Sequence, residues 1–340
     1  MAVWICATDL RYNIQPATLW RSVTVISQIQ GMNANAPILS SWIATVWLAA
    51  CIRLSTEYRR DTQGSITVLD STASLLPSKA QFLSGEGDFD SPKLNFVNET
   101  VYDWWYFDAV SDDGDSSITV CFFTSSSTAF PFLHLCRCLI INFSHIQVAP
   151  PHYPCSAASR NVDLQVCPHV GWANAIPDGN ASVDMTIAGS RLRFHGSAYH
   201  DKNWSDVPFT STTKTWYWGR TRIGPYSVVW FYVLTPQHTE HASAYIANKG
   251  KIRHAACAGA IVMPILNRNA PSATDTLPIG FRVEFNTPGE HSPLVNITIF
   301  NGLIIASAGP SYIRWIGNST GCVMGDCGLQ GFGTLEQFRL

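Results

Sequence analysis

The chain has 340 residues, a formal net charge of −2 and only 14% charged side chains. Aromatic residues make up 12% of the sequence and include 12 tryptophans, so the composition favours a well-buried globular protein and argues against extensive disorder. There is no basic stripe, and the sequence therefore gives no reason to expect nucleic acid as a partner.

The N-terminal part of the chain, residues 1–63, is predicted to be an extension that precedes the folded body. Within it, residues 36–52 (APILSSWIATVWLAACI) are uncharged and mostly apolar, as in a signal peptide or a membrane anchor. Met32 lies just upstream, which suggests the hypothesis that the natural chain starts there. We expect passage into the secretory pathway, with membrane association through residues 36–52 as a further expectation.

Six N-x-[ST] sequons occur along the chain. Together with the apolar N-terminal segment, they favour glycosylation in the secretory pathway over a simple richness in serine and threonine. The asparagines that we expect to carry a glycan are Asn98, Asn180, Asn296 and Asn318.

The ten cysteines do not follow a metal-binding pattern. Cys136 and Cys138 are separated by one intervening residue, and no histidine pair at ligand spacing lies near them. We predict neither a metal nor a cofactor. Cys322 and Cys327 are candidates for a local disulfide, and the remaining cysteines are interpreted as small buried apolar residues.

From residue 64 onward the pattern is typical of β-structure. Short runs rich in Val, Ile, Thr and aromatic residues are broken at regular intervals by Gly, Pro, Asn and Asp, as in SITVCFF (117–123), SVVWFYVL (227–234) and FRVEF (281–285). The prediction is an all-β protein, either a sandwich or a barrel.

One segment, residues 130–160, departs from this rhythm. Its sequence, FPFLHLCRCLIINFSHIQVAPPHYPCSAASR, has clustered cysteines, a Pro-Pro pair and no clear alternation of strand and turn. We interpret it as an insertion, or as a stretch that an error in the gene model introduced into the chain.

The stretch YDWWYF (102–107) contains aromatic residues on both faces of a predicted strand. Side chains alternate along a strand, so Tyr102, Trp104 and Tyr106 share one face while Trp105 and Phe107 share the other. One face suits a core, and the other suits a second layer or the wall of a cavity.

A second aromatic strand, TWYWGRTRI (215–223), carries Trp216, Trp218, Arg220 and Arg222 on one face. Two tryptophans followed by two arginines would be a costly surface but a good wall for a partly polar cavity.

The stretch GSAYHDKNWSDVPF (196–209) brings Tyr199, His200, Asp201 and Asn203 close together in sequence. If the chain turns there, the phenol, imidazole, carboxylate and amide converge on one pocket wall. The alternative is that these side chains fasten a corner between strands through backbone hydrogen bonds.

These stretches resemble the hydroxyneurosporene synthase-like (carotenoid 1,2-hydratase-like) family, which has a lipocalin-like fold, and in particular its fungal Diels–Alderases. The similarity is carried by DWWYFDA (103–109), YHDKNW (199–204), WYWGRTRIGPYSVVWF (216–231) and GFGTLEQFR (331–339). Lys202 and Ser205 stand where the family often has a second His and a following Gly, which argues against a hydratase-type acid–base role for this stretch.

The resemblance implies two consecutive lipocalin-like β domains, a sandwich-like one over 64–209 and a barrel-like one over 210–340, with a substrate pocket near their junction. It implies a [4+2] cycloaddition on an apolar polyene, such as a polyketide or polyketide–amino acid hybrid of fungal secondary metabolism, without a cofactor. The expected wall residues are Trp104, Tyr106, Trp204, Trp216, Trp218, Tyr226 and Trp230. The expected catalytic residues, most of them candidate donors to a dienophile carbonyl, are Tyr199, His200, Asp201, Asn203 and Arg220.

Three other functions fit the same residues. The first is a hetero-Diels–Alder coupling that joins terpene and polyketide parts. The second is hydration or isomerisation of an isoprenoid, with Asp201 and His200 as acid and base. The third is a non-catalytic lipocalin-like carrier, which would use the same aromatic cavity to bind an apolar metabolite.

Overall fold

The protein folds into two β-sheets. The computed structural model describes residues 2–9, 74–85, 89–126, 128–130, 140–187, 190–266, 277–287, 289 and 292–340. Met32 and the predicted apolar segment at 36–52 lie outside the described residues. Among the described residues, no helix is long and apolar enough to cross a membrane.

Within the described residues, the first sheet has nine strands. They are β1 (Ala2–Asp9), β2 (Tyr102–Ser111), β3 (Ser116–Ser125), β4 (Ile140–Gln147), β5 (His152–Tyr153), β6 (Ser156–Ala157), β7 (Gln165–Cys167), β8 (Val170–Ile187) and β9 (Ser190–Ser205). Their order is β1-β3-β2-β9-β8-β5-β6, and both β4 and β7 also pair with β8.

A single helical turn, α1 (Phe209–Thr212), leads into the second sheet, whose nine strands in the described chain are consecutive in sequence. They are β10 (Thr215–Ile223), β11 (Tyr226–Leu234), β12 (Glu240–Asn248), β13 (Lys251–Ala256), β14 (Ala260–Ile265), β15 (Gly280–Phe285), β16 (Val295–Ser307), β17 (Tyr312–Val323) and β18 (Asp326–Arg339). Their order is β13-β12-β11-β10-β18-β17-β16-β15-β14.

The predicted all-β fold is confirmed, and the two sheets divide the chain between Ser205 and Thr215, on either side of the predicted boundary at 209/210. The second sheet curls, so that β14 packs against β11 and β12. Its interior is filled by apolar side chains such as Trp230, Phe281 and Trp315. A second core lies between the sheets and includes Trp104 and Phe231.

Two expectations for the first sheet are corrected. Residues 2–9, assigned above to an N-terminal extension, form an edge strand that pairs antiparallel with β3 from Ala2–Phe123 to Asp9–Ser116. The described part of the segment 130–160 contains β4, β5 and β6, so these strands of the segment belong to the sheet. Strands β5 and β6 have only two residues each, and β4 pairs with the long strand β8 further along the chain. The segment therefore carries little local strand signal.

Two disulfides lie in the described residues. Cys322–Cys327 closes the β17–β18 hairpin, as predicted. Cys155, between β5 and β6, is bonded to Cys257, just after β13, and this bond links the two sheets. Interpreting Cys155 and Cys257 as buried apolar residues was therefore wrong, because a separation of 102 residues gives no local sequence signal for pairing.

Candidate functional site

A cavity lies between the two sheets, with three neighbouring strands of each sheet forming its walls. The space open to the centre of a water-sized molecule is about 40 Å³, which is room for about three waters. The first sheet contributes side chains from β2, β3 and β9, and the second from β10, β17 and β18. The lining residues are Trp104, Tyr106, Cys121, Phe123, Phe130, Asp201, Asn203, Trp216, Trp218, Tyr312, Arg314, Glu336 and Phe338.

The aromatic strand β2 presents different faces to the cavity and to the outside of the sheet, as its alternation predicts. Trp104 and Tyr106 line the cavity. On the opposite face, the indole N–H of Trp105 donates to the carbonyl of Asp90 at 2.8 Å, and Phe107 stacks on the His200 ring at 3.8 Å between centroids. The outer rings therefore hold the segment that contains Asp90 against the sheet.

Strand β9 divides the predicted catalytic group between these same two faces. Asp201 and Asn203 line the cavity, whereas His200 lies on the opposite face. There the His200 Nδ1 is 2.9 Å from the carbonyl oxygen of Tyr106, and its Nε2 is 2.7 Å from Asp90 Oδ1. This corrects the expectation that His200 and Asp201 converge, because adjacent residues on a strand point to opposite faces.

Asp201 is a carboxyl group that lines the cavity and has a shifted pKa. Its Oδ2 accepts hydrogen bonds from Trp172 Nε1 at 2.8 Å and from the Tyr199 hydroxyl at 2.7 Å. Burial raises the pKa of Asp201 to about 6, and these two hydrogen bonds offset only part of that effect. Tyr199 is therefore a buried neighbour that orients Asp201.

The second sheet supplies the opposite wall. Trp216 and Trp218 line the cavity from β10, as predicted, and Trp218 packs edge-on to Tyr106 with centroids 5.3 Å apart. The guanidinium of Arg314 lies 4.3 Å from the centroid of the Tyr106 ring and pairs with the Glu336 carboxylate. A buried ion pair thus lies in the same wall as Trp216 and Trp218.

Sequence reasoning missed the four lining residues of β17 and β18, which are Tyr312, Arg314, Glu336 and Phe338. The two strands read as YIRWI and GTLEQFR, and their alternation does put each pair on one face. The sequence did contain one signal for these residues, because Arg314 and Glu336 each place a charge on an otherwise apolar strand face. Which sheet that face meets depends on pairing with the distant strand β10.

Besides Tyr199 and His200, four predicted site residues lie outside the lining of the cavity. Arg220 is buried beside it, pairs with Asp108 and donates to Ser197 Oγ at 2.8 Å. Trp204 donates to the Gln81 carbonyl on the outer side of the first sheet. Tyr226 and Trp230 belong to the interior of the second sheet. Arg220 is placed to brace the cavity, and the expectation that the three aromatic residues line it was wrong.

The predicted glycosylation sites differ in exposure. Asn98 is buried, and its side chain accepts from the Thr100 backbone N–H and donates to the Leu76 carbonyl, so the folded chain does not offer it. Asn318 is exposed on β17 and Asn296 is half-buried on β16. Asn180 is exposed, with its Oδ1 3.0 Å from Arg222 Nη1.

Several polar atoms of the cavity residues have no hydrogen-bond partner among the described residues. They are the donors Asn203 Nδ2, Trp216 Nε1, Arg314 Nε and Arg314 Nη1, and the carboxyl oxygen Asp201 Oδ1. Buried polar groups are normally paired, so each of these atoms needs a partner, from ordered water, from a ligand or after a small shift of neighbouring side chains. The described residues contain no cluster of three or more His, Cys, Asp or Glu side chains suited to a metal ion.

A family model described as Diels-Alderase-like matches residues 65–133 and 142–261, more than half of the chain. The chain belongs to the Diels-Alderase-like family. This match confirms the resemblance to fungal Diels–Alderases that the sequence indicated. It also confirms that the chain belongs to a family of enzymes.

Two curated relatives of the chain carry a different name. The chain is 28% identical over 245 residues to the quinolone epoxide rearrangement protein asqO of Emericella nidulans, covering 53% of this chain and 67% of that protein. It is 26% identical over 330 residues to the quinolone epoxide rearrangement protein penF of Penicillium thymicola, covering 76% of this chain and 90% of that protein. The family similarity therefore includes relatives named for an epoxide rearrangement.

The fold is that of CghA, solved with Sch210972. The TM-score is 0.63 at 17% sequence identity, over 78% of this chain and 95% of CghA. This likeness confirms the lipocalin-like architecture of two consecutive β units.

Proposed function

We propose that this Diels-Alderase-like protein catalyses an intramolecular [4+2] cycloaddition on a polyene in fungal secondary metabolism, with a polyketide or a polyketide–amino acid hybrid as substrate. The observation that carries the proposal is the aromatic cavity between the sheets. Rigid rings such as Trp104, Trp216 and Trp218 offer large contact areas with few torsions.

The reaction needs little acid–base chemistry, because a [4+2] cycloaddition transfers no proton and forms no covalent enzyme intermediate. The walls must hold a flexible chain with the diene and dienophile in contact, which lowers the entropic part of the barrier. A hydrogen bond to a carbonyl on the dienophile strengthens in the transition state. Asn203 and Arg314 line the cavity and have donor atoms without a partner among the described residues, so we assign this role to them in place of His200 and Arg220.

A long polyene is larger than the space of about 40 Å³ that a water centre can reach, so we infer that the walls move apart when it binds. Phe130 packs between the two sheets, 4.8 Å from Trp104 and 6.4 Å from Phe338 between ring centroids. Among the described lining residues, Phe130 is the one outside the strands. We therefore expect its side chain to move first when the cavity widens.

The test is to incubate the purified full chain with a synthetic linear polyene that bears an activated dienophile. Chiral chromatography then compares the stereoisomer ratio of the products with that of the spontaneous reaction. Faster cyclisation to one isomer supports the proposal. A carrier would bind the polyene and leave the spontaneous ratio unchanged, which would overturn the cycloaddition.

Two substitutions sharpen this test. Trp218→Ala removes a wall and is expected to lower the rate at least about tenfold, whereas Asp201→Asn keeps the shape and is expected to leave most of the rate. The reverse order would indicate acid–base chemistry instead of a shape-driven cycloaddition.

A second candidate function is an acid-assisted epoxide rearrangement. It is supported by the buried carboxyl of Asp201, whose pKa is raised to about 6 by burial, and by the names of asqO and penF. A protonated Asp201 would donate its proton to the epoxide oxygen as the C–O bond breaks with its electrons passing to oxygen. The ring of Trp216, which lines the same cavity, would stabilise the carbocation that is left.

The predicted site for hydration by an Asp201–His200 pair has no support in this geometry, because the two side chains lie on opposite faces of β9. Hetero-Diels–Alder coupling uses the same cavity as the main proposal. The polyene assay with separate terpene and polyketide partners distinguishes it from the intramolecular reaction.

We further propose that the chain passes through the secretory pathway, associates with its membrane through residues 36–52, and is glycosylated at Asn318. Support comes from the Cys155–Cys257 and Cys322–Cys327 disulfides, since such bonds persist in oxidising compartments, and from the exposure of Asn318. Expression in a fungal host and treatment with an endoglycosidase test this. A mass shift that Asn318→Gln abolishes is expected, and an unmodified protein recovered from the cytosol would contradict it.

A further inference from the structure

Trp172 is a fully buried tryptophan that lies outside the lining of the cavity but contacts a residue of that lining. Its indole Nε1 donates a hydrogen bond to Asp201 Oδ2 at 2.8 Å. The two residues lie on neighbouring strands, because Asp201 of β9 pairs with Asn174 of β8 and Trp172 is two residues before Asn174 on the same face. The two candidate functions assign no role to Trp172.

Neighbours from both sheets hold the ring of Trp172 in place. His152 of β5 packs edge-on to it with centroids 5.1 Å apart, and Phe231 of β11 lies 5.0 Å away. The Trp172 backbone N–H donates to the Leu164 carbonyl at 2.8 Å. A ring packed in this way cannot swing aside without disturbing the core between the sheets. The indole N–H is therefore a fixed donor to one carboxyl oxygen.

The two oxygens of Asp201 are in unequal surroundings. Oδ2 accepts from Trp172 and from the Tyr199 hydroxyl at 2.7 Å, whereas Oδ1 has no partner among the described residues. An indole N–H can donate but cannot accept. A proton on Oδ2 would therefore compete with a donor that cannot reverse its role. Oδ1 is the oxygen that can take up a proton without the loss of a hydrogen bond.

We propose that Trp172 is a positioning residue that, together with Tyr199, keeps Asp201 Oδ2 as an acceptor and so directs the carboxyl proton to Oδ1. This rests on the second candidate function in taking Asp201 as the acid of the cavity. It adds which oxygen delivers the proton. A carboxyl group that was free to rotate would share its proton between both oxygens, and only one of them would suit a given position of the epoxide.

The same hydrogen bond should affect the acidity of Asp201. Burial raises the pKa of Asp201 to about 6, and the hydrogen bonds from Trp172 and Tyr199 oppose that rise. A hydrogen bond to the charged form of an acid favours that form. Loss of the Trp172 donor should therefore raise the pKa further.

Other titratable or charged groups surround Asp201 and are common to the tryptophan variants compared below. They are Tyr106, Cys121, His200, Tyr312, Arg314 and Glu336. Burial lowers the pKa of His152, which packs against Trp172, to about 3, so this imidazole stays neutral in the titrated range. A difference between two variants with the same surroundings reports the hydrogen bond.

The experiment follows Asp201 directly by NMR on the full chain, labelled with ¹³C at the aspartate carboxyl carbons. The Asp201 signal is identified by its absence in Asp201→Asn, and it is titrated between about pH 4.5 and about pH 8. The unmodified protein is expected to show a midpoint near 6. Trp172→Phe is expected to raise that midpoint by about one pH unit, because the carboxylate loses a charge-assisted hydrogen bond.

The matched control is Trp216→Phe. Trp216 is also a buried tryptophan, and its indole N–H has no partner among the described residues. The Asp201 midpoint in this variant is expected to stay at the value of the unmodified protein. Equal changes in the two variants would overturn the inference, because lost packing would then account for both. A midpoint in Trp172→Phe at or below that of the unmodified protein would also overturn it.

A second measurement needs no tryptophan variant that folds. In the unmodified chain with ¹⁵N-labelled tryptophan, the indole N–H signal of Trp172 is expected to move with the same midpoint as the Asp201 carboxyl signal. An indole signal that stays constant through that midpoint would overturn the inference. Neither titration uses a substrate, so a protein that fails to rearrange epoxides can still show the effect of Trp172. If it does rearrange them, the pH above which kcat/KM falls should be about one unit higher in Trp172→Phe.

Discussion

Lys202 and Asp103 form an ion pair in which both side chains are fully buried, on the face of the first sheet away from the cavity. The Lys202 ammonium also lies 3.3 Å from the centroid of the Trp105 ring. Burial lowers the pKa of Lys202 to about 8, although Asp103 opposes this. Lys202 stands where the family resemblance led us to expect a histidine, and its partner explains how a lysine is tolerated there.

Removing only one member of this pair should strongly destabilise the protein. Lys202→Met leaves the Asp103 carboxylate buried without a counter-charge, and we expect a loss of about 3–5 kcal/mol in the free energy of unfolding. The double variant with Asp103→Leu should recover most of that loss. Denaturant titration measures both.

The control for the buried pair is the exposed pair Asp184–Arg191, whose nitrogen–oxygen distance is 2.6 Å. Exposed pairs are screened by water, so Asp184→Ala should have no measurable effect on unfolding. A similar loss at the buried and exposed pairs would contradict the argument from burial.

The pH dependence of the reaction should distinguish the two candidate functions. The pKa of Asp201 is raised to about 6 by burial. If Asp201 protonates an epoxide, kcat/KM should fall about tenfold per pH unit above 6, and Asp201→Asn should abolish the reaction. A cycloaddition should show a flat profile between about pH 5 and 8. The measurement is the initial rate with each substrate across that range.

The same group should make the stability of the protein depend on pH. The folded-state pKa of Asp201 lies above the usual value of 3.8, so the folded protein binds this proton more tightly than the unfolded chain. The free energy of unfolding should therefore decrease as pH rises from about 4 through 6, by about 3 kcal/mol in total. Asp201→Asn should remove this component, and an identical pH slope in the variant would contradict it.

The long-range disulfide should contribute more stability than the local one. Cys155–Cys257 closes a loop of 102 residues, and Cys322–Cys327 closes one of five. The chain-entropy model gives about 4.7 and about 2 kcal/mol for loops of these lengths. Denaturant titration of the two double-alanine variants should show this order. A larger loss at Cys322–Cys327 would indicate that native-state contacts, and not loop length, dominate.

Gly219 should not tolerate a side chain, because neighbouring atoms already fill the space that a Cβ would occupy. A Cβ at this position would lie 2.2 Å from Cζ2 of Trp230 and 2.9 Å from the Thr334 carbonyl oxygen. Gly219→Ala should therefore destabilise the protein by about 1–3 kcal/mol. At Gly85 the nearest atom is a flexible Gln81 nitrogen at 3.7 Å, so Gly85→Ala should stay within about 0.5 kcal/mol. Thermal unfolding of both variants checks this.

The parts of the site that the sequence predicted are those set by alternation within one strand. Trp104 and Tyr106 on β2, and Trp216 and Trp218 on β10, line the cavity because their strands are regular and aromatic on the relevant face. The same rule, applied to β9, would have separated His200 from Asp201. The expectation that they converge required a turn, and the strand continues straight through to Ser205.

The parts that the sequence did not predict depend on distant pairing. Arg314 and Glu336 reach the cavity because β17 and β18 lie beside β10, and no local pattern specifies that neighbour. Cys155 is likewise bonded to a partner far along the chain. The segment 130–160 lacked a strand pattern because β4 gains its partner only from the long strand β8.

Strand β18 has a consequence for how the protein is made. Its residues 331–339 pair with β10, from Thr215–Arg339 to Ile223–Gly331, and the strand carries Glu336 and Phe338 into the cavity. During synthesis at about 5–20 residues per second, the aromatic faces of β2, β9 and β10 wait for several seconds before this strand leaves the ribosome. Strand pairings across so much chain also form slowly. Until then these aromatic side chains form an exposed apolar surface that is prone to aggregation. Efficient production should therefore depend on chaperones that bind this surface.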